Sequence, residues 1–379
     1  MSSSNAPAQV SLGDRAKFTA ISLGNRPELT ALRAPLAIAV LIYHQNPTVI
    51  VGAPTMVTMW AVLSGFLITS ILLRDRAIHG RIGIKKFYLR RALRLLPPLY
   101  LAIIGVYIYA AFVHVGDARQ RINGDVLATV FYYMDYRQAF GHEPFLGFFG
   151  HAWSLSLEEQ FYFMWAPVLA FLLWRWGRKA ALWFAAVGMV AVIVNREIIW
   201  STTHYVPRVY FAFDTRMDAW FAGCILGVVF SWGHLSDVSV NGRRWLAVAG
   251  GLSTLTLVWI TQYMSLYSAA PYVWGLIVVD VTCVFILAHV IASPNGRYAR
   301  VLRLRPIVHI GEITYMIYIC HWPVYIILNQ SALPFLDSWG VFAVRLAVTV
   351  AIAEMSWFLI EKRLMKLREG RLGVNVAKS

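Results

Sequence analysis

Apolar residues run along this chain in blocks separated by short polar segments, from residue 30 to residue 361. The blocks are close to the length of about 20 residues that a helix needs to cross the hydrocarbon of a bilayer. They predict ten helices, near 30–47, 54–73, 96–115, 157–174, 180–195, 207–231, 245–263, 271–292, 306–329 and 339–361. The expected fold is an all-α integral membrane protein, a bundle of about ten transmembrane helices. Its membrane domain would occupy 29–361. Residues 1–28 would form a mobile cytoplasmic tail, since they hold no apolar core of the kind a cleaved signal peptide needs. Residues 362–379 would form a basic tail lying against anionic headgroups.

Composition strengthens this picture. Of 379 residues 59% are hydrophobic and only 14% charged, and the mean hydropathy is +0.59. A soluble domain carries about 25% charge. The 15 Trp and 18 Tyr suit interfacial belts. Cys224, Cys283 and Cys320 sit in apolar runs without metal-ligand spacing, so no metal site and no disulfide framework is expected.

A formal net charge of +15 raises the question of nucleic acid, and its distribution answers it. With the N-terminus inside, the inner segments carry 26 Lys and Arg and the outer segments 5. That is the positive-inside asymmetry, with both termini cytoplasmic. The expected surroundings are a lipid bilayer in the cell membrane, with no nucleic acid partner.

The ionisable residues inside the apolar runs carry the chemistry. Arg33 and His44 share the first run. Eleven steps of 100° end about 20° past three full turns, so both lie on one helix face, roughly 16 Å apart along the axis. His321, counted at about 1.5 Å per residue from the inner edge, lies near the depth of His44. Glu158 and Glu159 open the fourth run. Asp214 and Asp218, four apart, would share a face of the sixth, with Arg216 directed elsewhere. Asp280, Arg345 and Glu354 complete the set. Charges inside a bilayer are costly, so these must pair or line a water-filled cavity.

The inner segment 74–94 holds eight Lys and Arg. Arg90 and Arg94 would share a face beside Arg91, with Pro97–Pro98 ending their helix. Guanidinium groups so clustered suit phosphate recognition. The aromatic outer segment 116–150, with Asp135, Arg137 and Glu143, reads as an interfacial belt or as a stacking surface for a sugar. Ser64 lacks a nucleophile-elbow context and reads as a small packing residue. Gly223 and Gly227 read as sites of close helix approach. No internal repeat and no interrupted helix is expected.

The motifs resemble, in order, those of acyltransferase family 3, the multi-span acyl-CoA-dependent O-acyltransferases. Arg33 and His44 match its R-x10-H signature. "LSGFLIT" (63–69), "RRALRLLPPLY" (90–100), "HAWSLSLEEQFYF" (151–163), "RMDAWFAG" (216–223) and "GEITYMIYICHWPV" (311–324) match later motifs. A departure at Ala34–Pro35 would kink the helix beside Arg33. The sequence carries no recognisable SGNH esterase-like domain of the kind some members append. The resemblance implies acyl-CoA, most simply acetyl-CoA, as donor, with Arg33, Arg90, Arg91 and Arg94 on its phosphates. It implies His44 as general base. His321 would orient it or support the oxyanion, and Glu158 or Glu159 would fix its tautomer or bind the acceptor. Trp153, Asp135, Arg216 and Asp218 would contact a glycan or glycoconjugate acceptor at the outer face. Direct and ping-pong transfer both remain open. The alternatives are a secondary transporter and an acyltransferase acting on a cytoplasmic small molecule.

Overall fold

The computed structural model describes residues 26–112, 118–141, 147–235 and 238–364. These residues are helical, with no strand among them. Much of both expected tails lies outside the described residues, as does Glu143.

The N-terminal side holds α1 (Arg33–Gln45), α2 (Val57–His79) and α3 (Ile84–Phe112). A connecting segment of α4 (Ala118–Val130) and α5 (Met134–Phe140) leads to α6 (Trp153–Arg175) and α7 (Arg178–Thr203). Three short helices follow, α8 (Val206–Phe211), α9 (Phe213–Arg216) and α10 (Asp218–Ser231). The chain continues through α11 (Val240–Tyr263), α12 (Leu276–Ala292), α13 (Arg305–Ile327) and α14 (Ser338–Ser356). Six helical stretches are long and apolar enough to cross a membrane, and the chain is a multi-pass membrane protein. The 23-residue helices α6 and α13 are not among the six, because polar residues interrupt them. They are the helices that carry Glu158, Glu159 and His321.

Three expectations about elements need correction, and one is met. Pro97–Pro98 does not end a helix: α3 runs through it. Lipid-embedded helices tolerate such prolines where neighbours support the backbone, and here Tyr315 of α13 donates to the Leu95 carbonyl at 3.0 Å. The break expected beside Arg33 is present: a short helix, Pro27–Ala31, ends at Leu32 and α1 begins at Arg33, where Pro35 lacks the N–H that would join the two. The sixth apolar run is interrupted, at extended Ala212 and again at Met217. Asp214 and Asp218 therefore do not share a face. Asp214 pairs with Arg208 near the surface, while Asp218 pairs with Arg196 in the interior. Arg196, expected in an outer loop, is fully buried because α7 continues to Thr203.

The tightest packing joins α2 to α10. Gly65 faces the backbone of Trp220, and Gly223 faces that of Val62 and Phe66. A Cβ at Gly223 would collide with the Val62 carbonyl oxygen, backbone that cannot swing aside. Small residues at such crossings let dispersion and weak polar contacts replace the missing hydrophobic drive of lipid. Gly251 on α11 has open space around it. Gly223→Val should lower the melting temperature of the detergent-solubilised protein, a cost of about 1–3 kcal/mol or more. Gly251→Ala should leave it equal or raised. Equal melting of both variants would show that the α2–α10 crossing is not close-packed.

Candidate active site

Five helices, α1, α2, α3, α6 and α13, surround a cavity of about 170 Å³. On α2 its lining runs from Trp60 to Ile71, eleven helical steps or roughly 16 Å. Arg33, Arg91 and Arg94 give it a basic wall, Leu67, Ile68, Ile71 and Leu155 an apolar one. Gly311 of α13 packs on the backbone of Thr30 and Ala31, just before α1, which sets Arg33 beside the cavity.

The arginines differ in what they hold. Arg91 is committed within the protein. Its Nε donates to both oxygens of Glu159, at 2.7 and 2.9 Å, and its guanidinium lies 3.5 Å from the Tyr162 ring centre. Arg33 donates no hydrogen bond to a described residue and lies in the field of Glu158, Arg91 and Arg94. Arg90 is absent from the lining, whereas Arg91 and Arg94, one turn apart, both reach it. Arg90, one of the four arginines expected on the donor phosphates, therefore does not reach the cavity.

The two glutamates separate as clearly. The Glu159 side chain is 6% exposed and is closed off by Arg91; that of Glu158 is 30% exposed, toward the cavity. Ser64 and Tyr162 each donate to Glu158 Oε1 at 2.8 Å. Ser64 is therefore a polar cavity residue and not simply a packing one. Neither glutamate hydrogen-bonds to His44, so neither fixes its tautomer.

That task falls to His321. Its Nε2 lies 2.8 Å from His44 Nδ1. The ring centres are 5.0 Å apart with planes 10° from parallel, which with this nitrogen separation describes two rings edge to edge in one plane. His321 Nδ1 lies 2.6 Å from the Tyr318 carbonyl oxygen and 3.2 Å from that of Ile317. Carbonyls only accept, so His321 Nδ1 carries the hydrogen. In the neutral ring Nε2 then accepts, and His44 Nδ1 donates to it. His44 Nε2 is left with its lone pair, the form a general base requires. His321 has no hydrogen to spare for an oxyanion.

Surrounding groups hold the pair. Tyr325 donates to the Leu41 carbonyl on α1 at 3.1 Å and sets its ring against His321. Arg345 bonds Gln45 Oε1 at 2.6 Å and the carbonyls of Leu328 and Tyr325, tying the end of α1 to α13. His151, which sequence reasoning did not single out, packs 5.0 Å from His321. Its only sequence signal was its place at the head of the "HAWSLSLEEQ" motif.

Comparison with known proteins identifies the type of domain. An acyltransferase-domain family model matches residues 26–355. The chain belongs to the acyltransferase family. It is 33% identical over 356 residues to the peptidoglycan O-acetyltransferase OatA of Listeria monocytogenes, covering 90% of this chain and 56% of that protein. It is 28% identical to the O-acetyltransferase OatA of Staphylococcus aureus, covering 90% and 57%, and 29% identical to a putative peptidoglycan O-acetyltransferase, YrhL, of Bacillus subtilis, covering 89% and 54%. The chain thus spans little more than half the length of these relatives. No solved structure matches it.

Within this acyltransferase domain the four expected acceptor contacts, Trp153, Asp135, Arg216 and Asp218, all lie off the cavity. Trp153 is packed against Tyr210 and Phe211. Arg216 bonds Thr58 at 3.2 Å, Asp218 holds Arg196, and Asp280 lies beside Asp218. Arg196, Arg216, Asp218 and Asp280 make a buried cluster of ionisable side chains among α2, α7, α9, α10 and α12, with the two arginines set against the two aspartates. Spacing along the sequence could not separate this cluster from the cavity. Among the described residues no group of ligands suited to a metal ion occurs.

Asp135 lies in the connecting segment, fully buried, with Gln160 donating to one carboxyl oxygen at 2.9 Å. Burial pushes its pKa up to about 7. A carboxyl raised in the folded state binds its proton longer than in the unfolded chain. Stability is then full below about pH 4 and falls as pH rises to about 7. Asp135→Asn should remove that decline. The variant should melt with the parent at or below about pH 4 and above it at pH 8, by on the order of a few kcal/mol. Parallel melting curves across that range would show that Asp135 is solvated and ordinary.

Proposed function

We propose that the chain is a membrane O-acyltransferase that moves an acyl group, most simply acetyl, from cytosolic acyl-CoA to a hydroxyl of a glycan at the outer face. The observation that carries this is the single axis formed by a basic cavity wall and, beyond its far end, a histidine with a free, tautomer-fixed Nε2. The names of the relatives support a peptidoglycan-type acceptor. The charge asymmetry supports ten crossings with both termini inside.

Arg33 and Arg94 would receive the phosphates of the donor, with Arg91 keeping Glu159 and bounding the site. The pantetheine arm would run along the apolar wall of α2. At its tip the acceptor oxygen attacks the thioester carbonyl while His44 Nε2 takes the hydroxyl proton. The carbon–sulfur bond then breaks, and the proton passes from His44 to the departing thiolate, giving free CoA and the ester. His321 stabilises the transient imidazolium by accepting from Nδ1 throughout. Positioned proton transfer of this kind contributes about 10²–10⁴-fold.

His44→Ala should lower transfer by about 10²–10⁴-fold and leave CoA affinity nearly intact. Activity close to the parent in a well-folded variant would remove His44 from the mechanism.

Arg33→Ala and Arg94→Ala should each weaken CoA binding by about 10–100-fold in calorimetry, the value of a charge-assisted hydrogen bond. Arg90→Ala should not. Equal losses at all three positions would point to a general field of positive charge and not to a built phosphate site. Transfer is predicted across the membrane: in tight inside-out vesicles, acyl-CoA added outside should acylate only acceptor trapped in the lumen. Ready acylation of acceptor on the CoA side would favour a cytoplasmic acceptor. Flux that follows an ion gradient, without CoA release, would favour a transporter.

A further inference from the structure

The cavity stops short of the histidines. Its lining ends at Trp60, Ser154 and Tyr318, and neither His44 nor His321 belongs to it. Tyr318 is one turn before His321, and the two rings are 5.8 Å apart, so the histidines lie directly behind this end.

The two aromatic residues that close it are held very differently. Tyr318 is pinned. Its hydroxyl donates to the His151 carbonyl, so Ser154 Oγ, 2.7 Å away, must donate to it. Only 9% of it is exposed. Trp60 packs edge-on against Tyr318, with ring centres 5.2 Å apart and planes at 88°. Its indole N–H has no hydrogen-bond partner among the described residues. A buried N–H without an acceptor adds nothing to hold the side chain where it is. The start of α2 is also near: Trp60 sits in its first turn.

Resting on the acyl-CoA reading above, we propose that Trp60 is the residue that sets acyl-chain length. The acyl group is the leading end of the donor. It must pass the Trp60–Tyr318 constriction before the thioester can reach His44 Nε2. Tyr318 cannot yield without breaking two hydrogen bonds, so the opening available is the one that the Trp60 indole leaves. That opening admits a two-carbon acyl group more readily than a chain of four to six carbons. The apolar residues below it, Leu67, Ile68 and Leu155, would accept such a chain without penalty, so discrimination lies at the constriction and not in the affinity for the donor. Each added methylene in a restricted apolar site is worth about 10-fold or more in discrimination.

The test compares acetyl-, butyryl- and hexanoyl-CoA as donors for the full chain in detergent or nanodiscs, reading ester formation and CoA release. The variants are Trp60→Phe, Trp60→Leu and Trp60→Ala. The ratio of kcat/KM for hexanoyl-CoA to that for acetyl-CoA should rise in the order Trp, Phe, Leu, Ala, by about tenfold or more at the end of the series. CoA affinity in calorimetry should stay with the parent, since no phosphate contact is altered. If Trp60→Ala does not fold, the Phe and Leu variants still rank the effect. A ratio that stays at the parent value in folded, CoA-binding variants overturns the role of Trp60 alone. A parent protein that neither binds CoA nor consumes acyl-CoA overturns it together with the function on which it rests.

Discussion

Hydrocarbon offers no hydrogen bonds, so every polar group inside this bundle must be met by another protein group or by a lined cavity. That constraint divides the ionisable residues into two sets. Arg91 with Glu159 and Arg345 with Gln45 and two carbonyls are held within the protein, and Arg196 pairs with Asp218 in the interior. They join helices that apolar packing alone would leave free to slide. Arg33 and the open side of Glu158 are not satisfied this way, and they face the cavity. His44 Nε2 stands just beyond its end. In this environment a polar group that faces a lined cavity can be met by a bound molecule, and that is why the site is proposed at these residues.

The same division explains the unequal roles of neighbours. Glu158 and Glu159 are adjacent in sequence, but successive helix residues point about 100° apart. One turns to the cavity and the other into the contact between α6 and α3. Arg90 and Arg91 part in the same way. The glycine crossing of α2 and α10 matters to the site as well, because α2 forms the longest wall of the cavity and its placement depends on that close approach.

The histidine pair shows how a backbone can set side-chain chemistry across two helices. The Tyr318 carbonyl fixes the hydrogen on His321 Nδ1, which makes His321 an acceptor at Nε2 and His44 a donor at Nδ1. A peptide oxygen of α13 thereby determines which nitrogen of a residue on α1 is basic. No carboxylate takes part, so the pair carries no fixed negative charge into the apolar interior.

Sequence by itself determined a good deal. Helical periodicity and hydropathy were enough to give an all-helical membrane protein, because in lipid the backbone must satisfy itself locally. The Arg33–His44 spacing gave one face, because helical geometry is local and regular. The depth count set His44 and His321 at one level, and they do meet. What only the tertiary structure decided is everything that depends on which helix stands beside which. It decided that Arg91 is held by Glu159, that Glu158 and not Glu159 faces the cavity, and that Arg216 and Asp218 belong to a separate buried cluster. It decided that the sixth run breaks at Ala212 and Met217 and that Pro97–Pro98 does not break α3. It brought His151, Ser64 and Trp60 to the site. These are contacts between residues tens to hundreds of positions apart, and hydropathy along one chain carries no record of them, since lipid-facing and helix-facing apolar residues are alike to it.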